Sequence, residues 1–89
     1  MTHSLSRKLS SCLAMVLYQL ENAEESQVNS DFAISMMESV GAELQGLDGN
    51  DLAEFITAIR EMARTERNGA RKRYIEELPE NFGLQGDLA

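Results

Sequence analysis

Apolar residues recur along this chain at intervals of three and four, the period that gathers them on one side of an α-helix. Leu5, Leu9, Cys12, Leu13, Val16, Leu17, Leu20 and Ala23 make the first such face, which predicts a helix over roughly residues 4–23. Phe32, Met36, Met37, Val40, Leu44 and Leu47 make a second face, and Leu52, Phe55, Ile56, Ile59, Met62 and Ala63 a third. The period is helical throughout.

Polar and conformationally permissive residues separate these faces. The link EESQVNS ends on Asn29 and Ser30, either of which suits the N-cap of a helix beginning near Asp31, because its side-chain oxygen can accept from a free first-turn amide. Gly46 follows the second face and is expected to turn left-handed, with Leu47 packing back on the helix end. Asp48 or Asn50 caps the third helix, and Asp51 and Glu54 place negative charge in its first turn, where the helix dipole favours it. Pro79 is expected to stop the third helix or its continuation, leaving residues 80–89 as an acidic, flexible tail. The expected fold is therefore all-α. Residues 1–79 form a single helical domain, a three-helix bundle, or four helices if the third breaks at Asn68-Gly69.

The two versions differ in what they do with residues 70–78. In an unbroken helix the phase survives Gly69, because Ala70 and Tyr74 return to the apolar arc. Such a helix over residues 51–78 would be about 42 Å long, against roughly 28 Å and 21 Å for the first two. Its projecting end would carry Arg71, Lys72, Arg73, Tyr74, Ile75 and Leu78, a mixed basic and apolar surface suited to a partner. An interior glycine costs roughly 1 kcal/mol relative to alanine. If the helix breaks there, Tyr74, Ile75 and Leu78 fold back and close the core.

Charge sharpens the question. The 89 residues carry a formal net charge of −7, which disfavours nonspecific nucleic-acid binding because the global field repels phosphate. Between Leu9 and Ile59 there is no lysine or arginine, whereas Arg60, Arg64, Arg67, Arg71, Lys72 and Arg73 crowd the C-terminal third. On a continuous helix Arg60, Arg64, Arg67 and Arg71 would make a stripe beside the core face. That stripe either faces the acidic candidates of the first two helices, Glu21, Glu24, Glu25, Asp31, Glu38 and Glu43, or serves an outside anion or acidic partner. The acidic face has its own reading, as a surface presented to a cationic protein.

Several motifs are tested and set aside. Arg7-Lys8 before CLAMVL resembles a secretory signal, but the apolar run is short and no small-residue cleavage site follows. LSSC resembles a lipoprotein box without the apolar stretch that should precede the cysteine. DGNDLAEFI fails the register of a calcium-binding loop, since Leu52 falls where an oxygen ligand is needed. No apolar run approaches the ~20 residues of a membrane span. The one cysteine forms no internal disulfide, so a reducing cytoplasm is expected.

Catalytic groupings are sparse. His3 is the single histidine, and no second one completes a metal site. Cys12, on the first apolar face, reads as a buried, inert thiol. Glu66 falls near the apolar arc of the continuous wheel, where it marks the arc's edge, pairs with Arg67 or Arg73 of another chain, or signals that packing is interrupted. Met15, Met36, Met37 and Met62 read as core filling or as an adaptable groove. No enzyme activity, cofactor or metal is expected. The functional expectation is a small acidic module that binds a protein partner, of inhibitor, antitoxin, immunity-protein or secretion-chaperone type. The alternatives are a nucleic-acid or phosphate-binding regulator using the arginines, and a structural subunit that self-associates as a homodimer.

Overall fold

A computed structural model describes residues 2–84, with side chains from Ser4 onward, and contains four α-helices and no strand among them. Helix α1 spans Thr2–Asn22, α2 Ser30–Gln45, α3 Gly49–Thr65 and α4 Gly69–Asn81. The four-helix version is the one that forms.

Local capping explains where α2, α3 and α4 start. Asn29 accepts from the Phe32 amide at 3.2 Å, and Glu25 accepts from both the Ser30 hydroxyl and its amide, which holds the Glu25 carboxyl below its ordinary pKa. Asp48 accepts from the Asp51 amide and opens α3. Asn68 accepts from the Arg71 amide at 2.9 Å and opens α4. Three residues, Glu66, Arg67 and Asn68, therefore separate α3 from α4. The cap at Asn68 gives the backbone an alternative to one continuous helix.

The C-terminal ends depart from the expected pattern in two places. Gly46 stays right-handed (φ −82°, ψ −4°), and its amide bonds to the carbonyls of Glu43 and Leu44. Pro79 does not stop α4. It lies buried inside the last turn, and the helix runs on to Asn81. The missing amide removes one bond to the preceding turn, while the Phe82 amide reaches back to the Leu78 carbonyl at 3.1 Å. Gly83 then takes the left-handed conformation (φ 69°). Its amide bonds to Glu80, and the Leu84 amide bonds to Pro79 at 2.8 Å, the paired pattern of a Schellman stop. Leu84 is thereby delivered to the core at 4 % exposure. Residues 80–84 are part of the packed structure, and the rest of the expected tail lies outside the described residues.

Helix α3 forms the middle of the fold. Leu52, Phe55, Ile56, Ile59 and Ala63 join Ala14 and Leu17 of α1, Leu44 of α2, Ile75 and Leu78 of α4, and Leu84 in one cluster. Ser6 of α1 donates to Glu54 early in α3, and Tyr18 of α1 meets Arg71 just beyond the end of α3. These two helices therefore run in the same sense. Their contact uses small side chains on α1, Ser10 and Ala14 both being buried, so the backbones approach closely. The α4 segment folds back, with Ile75 and Leu78 fully buried.

The buried faces of α1 and α2 are rotated from the apolar faces read in the sequence. Leu17, Ala14 and Ser10 point inward, while Leu5, Leu9, Cys12 and Val16 are exposed. On α2 the inward residues are Ala33, Met37, Val40, Gly41 and Leu44, and Phe32 and Met36 are exposed.

Candidate interaction surfaces

The break between α3 and α4 dismantles the arginine stripe. Arg60 and Arg64 stay exposed on α3, Arg67 falls in the connector, and Arg71, Lys72 and Arg73 lie within the first five residues of α4. Arg64 pairs with Glu61 one turn earlier at 3.1 Å, and Arg7 of α1 approaches the same carboxylate at 4.0 Å. Arg71 is half-buried. Its Nη1 lies 3.4 Å from Glu66, and its guanidinium carbon sits 5.6 Å from the centre of the Tyr18 ring. Tyr18 in turn meets Tyr74 edge to face at 5.6 Å. Lys72 Nζ donates to the Ala63 carbonyl at 2.9 Å, covering the C-terminal end of α3, and approaches Glu76 at 4.0 Å.

Among the described residues the ion pairs of Arg64 and Arg71 go to Glu61 and Glu66, local acids, and not to the carboxylates of α1 and α2. Glu66 is the interruption of packing that its place on the wheel allowed. Its carboxylate accepts from the Asn68 amide at 3.1 Å and stabilises the connector. Ile75 and Leu78, candidate partner contacts on a projecting helix, are in the core and present nothing to a partner. Arg60, Arg67 and Arg73 remain exposed.

The acidic candidates divide. Glu24, Glu25, Asp31 and Glu43 are exposed at the end of α1, in the link or on the outer side of α2. Glu21 and Glu38 instead line a wide groove of about 990 Å³ between α2 and α4, together with Glu77 and Glu80. No lysine or arginine lines it. The floor is apolar: Ile34 is 51 % exposed, and Met37, Tyr74 and Phe82 are partly buried beside it. Gly41 shapes this floor, because a Cβ there would stand 3.0 Å from Cδ1 of the Phe82 ring. Gln45 donates to the Phe82 carbonyl at 3.1 Å and ties the C-terminal ends of α2 and α4 together. Burial pushes the Tyr74 phenol up to about 12, and the neighbouring Glu21 carboxylate adds in the same direction.

Sequence reasoning missed Glu77, Glu80, Ile34 and Phe82 as members of this surface. The available signal was the spacing of three between Glu77 and Glu80, which places both on one side of α4 once that helix is known to continue past Pro79.

A second surface lies on α1. Leu5 is 61 % exposed, Leu9 59 % and Val16 55 %, with Cys12 between them. The spacings of four, three and four put all four side chains on one line. Leu9 and Leu13 also border a shallow depression of about 270 Å³ shared with Leu44 and Leu47. Cys12, expected in the core, is on the surface. The cause is the rotation of α1 that turns Ser10 and Ala14 toward α3.

Among the described residues no three histidine, cysteine, aspartate or glutamate side chains converge as a metal site, and no helix is long and apolar enough to cross a membrane. The side chain of His3 lies outside the described residues. The chain matches no protein-family model, no curated protein and no solved structure.

Proposed function

We propose that this chain is a small acidic protein-interaction module that acts by binding a protein partner and not by catalysis, in the manner of an inhibitor, antitoxin, immunity protein or secretion chaperone. The observation that carries the reading is the outward-facing line of Leu5, Leu9, Cys12 and Val16 on α1. The core closes without these residues. Covering them would recover roughly 25 cal/mol for each Å² of apolar surface removed from water, and a contiguous exposed apolar line on a small domain is a common mark of a docking face.

Self-association is the second reading, and the spacing of that line favours it, because residues four, three and four apart form the seam by which two helices interlock. The phosphate-binding reading has less support. Arg71 and Lys72 are engaged within the chain, and the net charge of −7 opposes a polyanion. A cytoplasmic setting accords with a single exposed thiol.

The test is the double variant Leu9→Glu, Val16→Glu, whose sites are exposed and whose fold should survive. Wild type and variant are compared by sedimentation at two concentrations and by affinity co-purification from the native cell. A wild-type dimer that the variant dissolves supports self-association. A wild-type monomer whose co-purifying protein is lost in the variant supports the module. A monomer whose captured proteins are identical in both sinks the proposal.

A further inference from the structure

The groove between α2 and α4 has a property that the α1 line lacks, since its chemistry specifies an occupant. Four carboxylates, Glu21, Glu38, Glu77 and Glu80, stand around it, and no basic side chain lines it. Arg64 pairs with Glu61, Arg71 with Glu66, and Lys72 covers the end of α3, while the exposed Arg60, Arg67 and Arg73 line no part of the groove. Carboxylates gathered without a counter-charge repel one another, and a cationic ligand relieves that repulsion only on binding.

The floor supplies the second half of the argument. Ile34 is exposed by half, and Met37, Tyr74 and Phe82 lie partly open along the same trough. A small metal ion or a polyamine would leave this apolar floor in water. A purely apolar peptide would leave the carboxylates desolvated and unpaired. The length is also defined: Ile34 to Gln45 along α2 covers eleven rises, about 16 Å, which is the span of about three helical turns.

We propose that this groove binds a cationic amphipathic α-helix of a partner protein, with apolar side chains spaced three and four apart on Ile34, Met37 and Phe82, and with lysines or arginines flanking them toward Glu38, Glu77 and Glu80. This rests on the protein-binding reading and adds to it the chemistry of the partner and a surface separate from the α1 line. Gly41 and Phe82 pack closely on the floor of the trough, and Gln45 fixes the Phe82 backbone there.

The probe is a synthetic peptide of about four turns, with leucines at helical spacing and lysines on both flanks, titrated calorimetrically into the full chain at about 0.1 M salt. Three variants are compared with wild type: Glu38→Gln with Glu80→Gln in the groove, Glu24→Gln with Glu43→Gln outside it, and Ile34→Ser on the floor. Both glutamate pairs remove the same charge. Binding should weaken about tenfold in the groove pair and in Ile34→Ser, and less than about twofold in the outside pair, because two local ion pairs and one apolar anchor are each worth about that factor. Affinity should also fall as salt rises. Equal weakening in both glutamate pairs would mean that only the overall field attracts the peptide, and it would overturn the proposal. Indifference to Ile34→Ser, or no binding by wild type, would do the same. Failure here with a partner still lost in Leu9→Glu, Val16→Glu would remove the groove's occupant while leaving the protein-binding reading in place.

Discussion

The guanidinium of Arg71 lies 5.6 Å from the centre of the Tyr18 ring, a contact between the start of α4 and the last third of α1. Its other partner is Glu66, whose side chain is only 15 % exposed. One arginine thus joins the connector, α1 and α4 at a single point, and its Nε is buried with no hydrogen-bond partner among the described residues. That unmet donor is a cost, offset by a half-buried ion pair and by the ring beneath it.

Two arginines that look alike in sequence should accordingly behave differently. Arg71→Gln removes the partner of a mostly buried carboxylate and the cation over Tyr18, and should lower stability by about 1–2 kcal/mol. Arg64→Gln removes an exposed pair and should change it by less than about 0.5 kcal/mol. Urea denaturation of both variants checks this. Equal effects would mean that the clasp contributes nothing beyond a surface pair.

Cys12 should react in the native state. Its exposure predicts complete modification by a thiol reagent in the folded protein, at a rate close to that of the unfolded chain. A buried thiol would wait for opening and would be slowed by the folding equilibrium. Protection of Cys12 that disappears in Leu9→Glu, Val16→Glu would show that the α1 line is covered by another chain in solution.

How much of this was legible in the sequence depends on which side chains are asked. The apolar arc of α3 is the most reliable, because that helix is packed along its length and Leu52, Phe55, Ile56, Ile59 and Ala63 are all buried as their spacing implies. The caps at Asn29 and Asp48, each one of two residues the sequence offered, follow from local hydrogen bonding that needs no tertiary information, whereas the sequence marked Asn68-Gly69 only as a possible break, and the cap at Asn68 emerged with the structure. On α1 the same method misleads, since it assigns the inside to the largest apolar side chains. Here Ser10 and Ala14 face α3 because small side chains permit close approach, and Leu5, Leu9 and Val16 are left outside. Periodicity cannot tell a face that packs on its own core from one that faces outward. The α2–α4 groove was illegible for a related reason. Its members come from three helices, and its carboxylates share a surface only after α4 turns back at Asn68 and passes Pro79.

The Schellman stop at Gly83 gives the end of α4 a measurable weight. Gly83→Ala places a Cβ on a left-handed residue and should cost about 1 kcal/mol, with no clash to obscure the result because Gln45 Nε2, at 3.7 Å, is in ordinary contact. Leu84→Ala removes a side chain that is 4 % exposed and should cost about 2 kcal/mol, near the lower end for a buried leucine because the residue lies beyond the last helix and not within it. If both changes leave the denaturation midpoint unmoved, residues beyond Asn81 do not contribute to the fold.

Tyr74 supplies a pH signature from within the groove. Burial first, and the Glu21 carboxylate second, raise its phenol from the ordinary value of 10.0 to about 12 in the folded chain. The unfolded chain therefore releases this proton near pH 10 while the folded chain still holds it, so folding becomes less favourable as pH rises between those values. The stabilising contribution is complete below pH 10 and lost by about pH 12. Because the ring is only half-buried, the solvent-screened loss should be smaller than the full shift implies. Tyr74→Phe removes the ionisation and should flatten the decline in melting temperature across this window relative to wild type. Glu21→Gln, which removes the second cause and leaves the first, should lower the Tyr74 midpoint seen by ultraviolet titration of the phenolate without restoring it to 10. An unchanged midpoint in Glu21→Gln would place that carboxylate too far from the phenol to share the groove with it.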